Sequence, residues 1–452
     1  MRRGIFGDSR LPAPRTGAAV LVVILLTLFA AFNTQRLPLK GDGYWHTSGT
    51  RILDDRNRPV RIAALTWYGG EYTTWVPGGL DFQPYRAIMR EIKRLGYNTI
   101  RLPFSNELVE RNPRVTGWVA ANPEFRGRHA LAVLRAIAVY AGKIGLKIIL
   151  DDQTSSAEPI YPAPGRLDEP LWYTRRYPQS HWIRDWERLA RMFLENPAVI
   201  GFDLRNEPHT AGPGQRGCGS CGWGLHAYLH QGATWGPFEG HHNIATDWRR
   251  AAERAGDAVL RINPRLLIFV EGLQLYPQRD QPNGVDSYWY GGILTMVRRY
   301  PVVLSVPHRL VYSPHGYGPE KWPYYPLWRR LSYATLSRVL NAQWGFILNH
   351  PHASYAAPIF VGETGTCTGP GFCGNALSEH LSRRWYSKIG TLQAKWLRLF
   401  VRYLRKHPKV GWGVWGLNGT NARDFPTTDG LLNAHWNGVQ SRQLQNLLKT
   451  VE

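Results

Sequence analysis

Two glutamates each follow a short apolar run that is typical of a buried strand. Residues 200–204 (Ile-Gly-Phe-Asp-Leu) are followed by Arg-Asn-Glu-Pro-His, which contains Glu207, and residues 358–362 end at Glu363. Pro208 lacks an N–H and restricts the residue before it, so an extended backbone is predicted for Glu207. One carboxylate there would fit a solvated strand end equally well. Two carboxylates at two strand ends are the minimum for hydrolysing a glycosidic bond, because one must donate a proton and the other must attack or activate water.

Other candidate residues fall near the ends of other predicted strands. Arg101 ends the second strand, and a buried arginine needs a carboxylate partner, for which Glu363 is suited. His315 and Tyr317 follow the sixth strand, and Trp415 lies on the eighth. A structural salt bridge, a structural histidine or a core aromatic residue would explain each of these singly. Together they indicate one site.

A repeated order of helix, tight stop and strand predicts the elements that position these residues. Helical apolar spacing ends at Gly96, Gly145 or an Asn-Pro or His-Pro pair, and each stop is followed by an apolar strand. This pattern occurs five times. With three further apolar runs it gives eight strands, at 62–65, 98–102, 147–150, 200–204, 266–270, 310–313, 359–361 and 411–415. The fold class is therefore α/β, a (β/α)8 barrel.

The predicted strand-to-helix connections are long, whereas the helix-to-strand connections are short. The long ones are 208–242, 272–300, 316–357, 364–390 and 417–440. All of them belong to the C-terminal face of a barrel, where active sites are built. They hold much of the aromatic surplus, in a chain with 19 Trp and 22 Tyr. Exposed aromatic rings stack well on the flat C–H faces of sugars.

The chain is strongly basic, with a formal net charge of +22. Its Lys and Arg residues are scattered rather than gathered in runs interleaved with aromatics, which argues against nucleic-acid binding. A basic exterior instead suits anionic lipid or an anionic envelope polymer. We expect a monomer.

The first 40 residues have the composition of a targeting segment. Arg2, Arg3, Arg10 and Arg15 precede the apolar run 18–32, which no clean cleavage site follows. An uncleaved membrane anchor is favoured over a cleaved signal peptide, and both predict an exported protein. The expected organisation is an anchor and linker at 1–40 and a catalytic barrel at 41–452, with a hairpin at 43–61.

The four cysteines are Cys218, Cys221, Cys367 and Cys373. In a cytosolic protein they would suggest a redox pair or a four-cysteine zinc site. In an exported protein disulfides are favoured, and three pairings are possible. We favour Cys218–Cys221 and Cys367–Cys373, which would staple two of the long loops.

From about Gly43 onward the chain resembles glycoside hydrolase family 5, in particular its bacterial endo-β-1,4-glucanases. The segment 200–209 fits the family signature, and Arg101, Asn206, Glu207, His315, Tyr317, Glu363 and Trp415 match its invariant residues. Segments 43–49, 171–174, 248–256 and 286–289 resemble the cellulase subgroup, which suggests Trp172 and Trp289 as substrate-binding residues. One position departs, because the third strand ends in Asp151-Asp152-Gln153 where the family has Asp-x-His.

The resemblance implies a retaining mechanism that needs no cofactor or metal. Glu363 would be the nucleophile and Glu207 the acid and base. Asn206 would hold the sugar 2-hydroxyl, Arg101 and Tyr317 would orient Glu363, His315 would support Glu207, and Trp415 would be a stacking floor. Gln153 leaves a second substrate class open, another β-linked glycan such as mannan, xyloglucan or a glycoconjugate. A sugar-binding pseudoenzyme is disfavoured, because both carboxylates are present.

Overall fold

Eight parallel strands form the barrel that the sequence pattern predicts. The computed structural model describes residues 43–158, 169–210, 224–278, 284–319, 326–365, 383–421 and 430–451, with positions 280, 423, 424 and 427. In chain order the barrel strands are β4 (Ala63–Thr66), β5 (Thr99–Ser105), β6 (Lys147–Thr154), β7 (Val199–Asp203), β8 (Leu267–Val270), β11 (Leu310–Tyr312), β12 (Phe360–Thr364) and β13 (Gly411–Val414). Each pairs in parallel with its neighbours, in the order β11, β8, β7, β6, β5, β4, β13, β12.

Backbone contacts between the first and last strands of this order close the barrel. The N–H of Tyr312 donates to the carbonyl of Pro358 at 3.0 Å, and the N–H of Gly316 donates to the carbonyl of Glu363 at 3.0 Å. The ends of β11 and β12 therefore lie side by side, which brings the segment with His315 and Tyr317 next to Glu363.

Helices of the predicted spacing surround the barrel. In chain order they are α1 (Tyr85–Arg94), α2 (Asn106–Arg111), α3 (Ala130–Ile144), α4 (Gln179–Met192), α5 (Leu225–His230), α6 (Trp248–Ile262), α7 (Tyr333–Gln343), α8 (Arg383–Lys406) and α9 (Arg442–Lys449). The predicted stop at Gly145 is confirmed, since this residue ends α3 with φ +74°, a conformation that glycine adopts without strain. Sequence spacing missed four shorter helices, namely α2, α5 and α7, which lie between a strand and the next predicted helix, and α9, which follows the last strand.

The predicted hairpin covers the bottom of the barrel, at the N-terminal ends of its strands. It consists of β1 (His46–Ser48), β2 (Arg51–Leu53) and β3 (Pro59–Val60), paired antiparallel. Trp45 and Ile52 pack with apolar side chains inside the barrel, among them Ile149 and Phe269. A second antiparallel pair, β9 (Leu275–Pro277) with β10 (Val285–Ser287), lies in the connection after β8.

Two sets of predictions fall outside the described residues. These are the N-terminal anchor and linker at 1–40 and the pairing of Cys218, Cys221, Cys367 and Cys373. Within the described part of the chain, no helix combines the length and the apolar composition needed to cross a membrane.

Candidate active site

Glu363 is held by two side chains at the mouth of the barrel. It lies in β12 and is 4% exposed. Its Oε1 accepts a hydrogen bond from Arg101 Nη1 at 2.5 Å, and its Oε2 accepts one from the Tyr317 hydroxyl at 2.7 Å. The predicted pairing of Arg101 with Glu363 is therefore present. Both oxygens have a fixed direction, which a carboxylate needs in order to attack a single carbon atom.

Glu207 lies opposite, and its carboxylate has a different set of partners. Its Oε1 accepts a hydrogen bond from Trp289 Nε1 at 2.7 Å and lies 3.0 Å from His315 Nδ1. The side chain is 15% exposed, so it is open to the mouth of the barrel. Trp289 thus contacts a candidate catalytic group directly, which is a more specific role than the sugar contact predicted for it.

The backbone around Glu207 differs from the predicted one. β7 ends at Asp203, so Glu207 lies four residues beyond the strand rather than at its tip. Its φ is +50°, in the left-handed region, and the predicted extended conformation is wrong. A non-glycine residue adopts this conformation only where its surroundings hold it. Here the N–H of Glu207 donates to Glu271 Oε2 at 2.8 Å, a long-range contact that local proline rules do not include.

Arg101 is the centre of a buried ionic cluster. Contrary to the prediction that it ends a strand, it is the third of seven residues in β5, and its side chain fills the barrel interior. Besides Glu363 its guanidinium contacts three further carboxylates and one amide. These contacts are Asp203 Oδ2 at 3.0 Å, Asp151 Oδ1 at 2.9 Å, Glu271 Oε1 at 3.4 Å and Asn206 Oδ1 at 3.1 Å. Arg101 therefore positions other side chains rather than contacting a substrate.

The charges in this cluster shift one another's protonation. Burial alone would lower the pKa of Arg101, but the carboxylates of Asp151, Glu363, Asp203 and Glu271 raise it well above its usual range. Burial raises the pKa of Glu271 to about 8, although His315 and Arg101 lower it. Burial likewise raises the pKa of Asp151 and of Asp203. Burial and the neighbouring cations therefore act in opposite directions on these carboxyl groups.

His315 lies between the two candidate catalytic glutamates. Its Nδ1 is 3.0 Å from Glu207 Oε1 and 3.7 Å from Glu363 Oε2, and its Nε2 is 3.1 Å from Glu271 Oε1. Burial alone would lower the pKa of His315, but the carboxylates of Glu271 and Glu363 raise it well above its usual range. A charged imidazolium between three carboxylates limits their mutual repulsion.

Three other predicted residues line the mouth. Asn206 is partly exposed, and its Oδ1 accepts a hydrogen bond from Arg101. Its amide N–H groups are therefore available to a partner other than Arg101. Trp415 follows β13 directly, is partly exposed and stacks on Tyr68 at 5.1 Å between ring centroids. Gln153 lies in β6, and its buried Oε1 accepts no hydrogen bond from the described residues.

Trp172 does not lie in the site, and its predicted role in substrate binding is wrong. The side chain is fully buried, with ring centroids 5.3 Å from Trp248 and 6.2 Å from Trp182. An indole enclosed by other indoles has no face for a sugar. Its motif reflects packing behind the site instead.

Sequence reasoning missed three acidic residues of the cluster: Asp151, Asp203 and Glu271. Glu271 could have been predicted, because it directly follows the apolar strand β8 in the same way that Glu363 follows the apolar run in β12. Asp151 and Asp203 lie within strands, where the sequence offers no sign that an arginine 50 or 102 residues away contacts them.

Two groups of three side chains have ligand atoms within 4.8 Å of one another among the described residues. They are Asp203, Glu271 and His315, and Glu207, His315 and Glu363. Both contain His315, and Arg101 contacts an acidic member of each group. A metal ion would therefore compete with two resident cations, so these groups are poor candidates for a metal centre.

The arrangement as a whole can perform acid–base and nucleophilic chemistry on one bond. A carboxylate oxygen of Glu207 lies within 4.8 Å of a carboxylate oxygen of Glu363. Two carboxyl groups about 5–5.5 Å apart fit a covalent double displacement, whereas about 6.5–9.5 Å leaves room for an attacking water. An oxygen–oxygen separation below 4.8 Å is compatible with the first kind of site.

Comparisons with known proteins agree with this geometry. A family model described as cellulase (glycosyl hydrolase family 5) matches residues 53–421. The chain is 33% identical to an endoglucanase of Paenibacillus polymyxa over 420 residues, which cover 90% of this chain and 88% of that protein. An endocellulase of Pyrococcus horikoshii, solved in complex with cellotetraose, superposes with a TM-score of 0.74 at 28% identity, covering 92% of this chain and all of that one. The catalytic domain of the major endoglucanase of Xanthomonas campestris gives 0.68 at 26% identity, covering 90% and 99% of the two chains.

Proposed function

The chain belongs to glycosyl hydrolase family 5, and from this premise we propose that it is a retaining endoglucanase acting on internal β-1,4 bonds of cellulose-type glucans. That it is a glycoside hydrolase follows from the family. The observation that carries the mechanism is the distance between a Glu207 oxygen and a Glu363 oxygen, which lie within 4.8 Å of each other. The substrate class rests on the relatives, which are endoglucanases, and on neighbours that bind cellotetraose.

In the first step Glu363 attacks the anomeric carbon. Arg101 and Tyr317 each hold one of its oxygens, so the attacking lone pair has a fixed direction. As the new C–O bond forms, the glycosidic C–O bond breaks and its electron pair goes to the leaving oxygen. Glu207 gives that oxygen a proton, and the product is a glycosyl-enzyme ester with a Glu207 carboxylate.

In the second step Glu207 acts as a base. It takes a proton from water, and the water oxygen bonds to the anomeric carbon while the ester bond to Glu363 breaks. Both glutamates return to their starting states. Trp289 and His315 contact the same oxygen of Glu207, so its other oxygen is left to handle the proton in both steps.

Sugar contacts come from the partly exposed side chains at the mouth. Asn206, fixed through its oxygen by Arg101, directs its N–H groups at the 2-hydroxyl of the sugar that is attacked. That contact strengthens as the transition state forms. Trp415, backed by Tyr68, offers a ring on which this sugar stacks.

Gln153 favours one alternative, a hydrolase of another β-linked glycan. Its unpaired buried oxygen is an acceptor for a sugar hydroxyl, at a position where the resemblance expected histidine. An amide offers a different set of hydrogen bonds from an imidazole. The chemistry of the two glutamates would be unchanged, and only the preferred sugar would differ.

Product analysis on a panel of soluble glycans tests the proposal. We expect reducing ends to appear fastest from carboxymethyl cellulose and mixed-linkage β-glucan, and more slowly from mannan and xyloglucan. Proton NMR during early hydrolysis should show the β-anomer first, as retention requires. An α-anomer would overturn the double displacement, and faster cleavage of mannan or xyloglucan would overturn the substrate class while leaving the mechanism intact.

A further inference from the structure

Glu271 is a buried carboxylate that the mechanism above does not use. It directly follows β8, and its side chain has no exposed surface. An acid enclosed in this way costs free energy unless its contacts compensate for lost water. Each of its two oxygens contacts a different part of the catalytic machinery.

The first contact is with the backbone of Glu207. Glu271 Oε2 accepts a hydrogen bond from the Glu207 N–H at 2.8 Å. Glu207 has φ +50°, which a non-glycine residue does not adopt without support. Since the side-chain direction follows from the backbone conformation, this bond helps to decide where the Glu207 carboxylate points.

The second contact is with the imidazole that supports Glu207. Glu271 Oε1 lies 3.1 Å from His315 Nε2, and His315 Nδ1 lies 3.0 Å from Glu207 Oε1. This contact is an ion pair rather than a well-directed hydrogen bond, so Glu271 acts on the ring by stabilising its charged form. The imidazolium in turn donates from Nδ1 to Glu207, and it does so best when Glu207 has given up its proton.

The surrounding chain keeps this carboxylate in place. The indole of Trp248 donates to the Glu271 carbonyl at 2.9 Å, and Arg101 Nη2 lies 3.4 Å from Oε1. Gly291 has φ +67°, and a Cβ added there would collide with Oε2. The loop after β10 thus leaves room for the carboxylate only because residue 291 has no side chain.

We propose that Glu271 is a positioning residue for the acid–base catalyst, accepting a hydrogen bond from the Glu207 backbone with one oxygen and forming an ion pair with the His315 ring through the other. It acts through Glu207 and does not touch the substrate. The inference rests on the proposed function, since it assigns Glu271 to the proton-transfer half of that mechanism.

Leaving-group dependence distinguishes this role from a general effect on folding. Expulsion of 2,4-dinitrophenolate needs no acid, whereas expulsion of a sugar hydroxyl does. With Glu271→Gln in the full chain, we expect β-glucan turnover to fall by about 10- to 100-fold, part of the factor that a general acid supplies. The pre-steady-state burst of dinitrophenolate from 2,4-dinitrophenyl β-cellobioside should change by less than about threefold, because Glu363 is still held by Arg101 and Tyr317.

Asp151→Asn is the matched control. Asp151 is equally buried and contacts Arg101 at 2.9 Å, so it acts on the side of Glu363. Both substrates should therefore slow by a similar factor. Equal slowing of both substrates by Glu271→Gln would overturn the inference. Failure of the wild-type chain to cleave either substrate would instead overturn the proposed function.

A second variant covers the case in which Glu271→Gln does not fold. Gly291→Ala leaves every charge in place but pushes a methyl group onto Glu271 Oε2. It should give the same selective loss on β-glucan with the burst retained. A parallel loss on both substrates, or no loss on either, would count against the proposal.

Discussion

At the scale of single residues, the two glutamates differ through their partners. Glu363 is fixed through both oxygens, by a guanidinium and a phenol. Glu207 is held through one oxygen by an indole and an imidazole, and it is the more open of the two to the mouth. A nucleophile needs a fixed direction, whereas a proton donor and acceptor needs access to the leaving group and to water. Their environments therefore suit the two roles.

Replacing Glu207 by glutamine should remove the acid while preserving its shape. Trp289 Nε1 can still donate to the amide oxygen, so the site should remain folded. Loss of a general acid costs roughly 10²–10⁴-fold in rate, and we expect turnover of β-glucan to fall within that range. Addition of azide should partly restore turnover of an activated aryl cellobioside and yield a β-glycosyl azide. An α-azide product would indicate that Glu207 is the nucleophile.

Replacing Gln153 by histidine tests the residue that departs from the family. An imidazole restores a more rigid donor near the central sugar, and one well-placed hydrogen bond is worth about 1 kcal/mol. Activity on β-1,4-glucan should therefore rise several-fold. Gln153→Ala provides the comparison, and it should lower activity on the preferred glycan. If Gln153→His abolishes activity on a glycan that the wild type cleaves well, Gln153 selects that glycan.

At the scale of elements, apolar spacing predicted which segments are strands but not where they end. The sequence interpretation ended β5 at residue 102 and β6 at residue 150, whereas they continue to Ser105 and Thr154. The extension contains Asp151 and Asp152, both completely buried. Polar residues continue β6 because the upper layer of the barrel interior is ionic, whereas β5 continues through Pro103, Phe104 and Ser105. A rule that assigns buried strands only to apolar residues therefore ends such a strand too early.

The candidate site was predictable where a residue type and its neighbours in sequence carried the information. Glu207, Glu363 and Arg101 belong to short motifs, and the structure places them together. Glu271 and the packing role of Trp172 depend on contacts with residues far away in sequence. Such contacts depend on which strands and helices become neighbours in the fold. The amino-acid sequence alone does not show which pairs of residues then come into contact.

The loop between β4 and α1 contains a buried acid that makes stability depend on pH. Burial raises the pKa of Glu71 to about 8. The hydrogen bond that the Gly69 N–H donates to Glu71 Oε2, at 2.7 Å, acts in the opposite direction and lowers this pKa. Between its ordinary pKa of 4.5 and about 8, the folded state keeps a proton that the unfolded state has lost. The contribution of Glu71 to stability is therefore full below about pH 4.5 and is lost as pH rises through about 8.

Glu71→Gln should remove this dependence, because the amide stays neutral at every pH. The free energy of unfolding of the variant, relative to wild type, should increase from pH 5 to pH 9, by at most about 5 kcal/mol. Denaturant titrations of both proteins at three pH values measure the difference in their free energies of unfolding. Groups that titrate in the same way in both proteins do not contribute to this difference. The exposed Glu195→Gln is the matched control and should track the wild type. Parallel profiles for wild type and Glu71→Gln would show that folding does not raise the pKa of Glu71.

At the scale of the whole molecule, the described chain begins on the side of the barrel away from the mouth. The carbonyl of Gly43 accepts a hydrogen bond from Lys147 Nζ at 2.6 Å, and Lys147 is the first residue of β6. The hairpin that follows fills the bottom of the barrel with Trp45 and Ile52. The catalytic glutamates lie at the other end of the strands. Residue 43 therefore enters the barrel at the end opposite the catalytic glutamates.

Removal of residues 1–40 should consequently leave catalysis intact and change only where the protein is found. We expect kcat/KM on a soluble cello-oligosaccharide to stay within about twofold of the full chain, because among the described residues no part of the candidate site precedes Tyr68. The full chain should sediment with membranes, since Arg-rich flanks and the apolar run 18–32 favour an anchor, and the shortened chain should not. Full-length Glu207→Gln is the control, because it keeps residues 1–40 and should sediment with membranes although it lacks activity. A mature N-terminus near Phe32, found by N-terminal sequencing, would show a cleaved signal instead. A large loss of kcat/KM in the shortened chain would mean that these residues belong to the catalytic barrel.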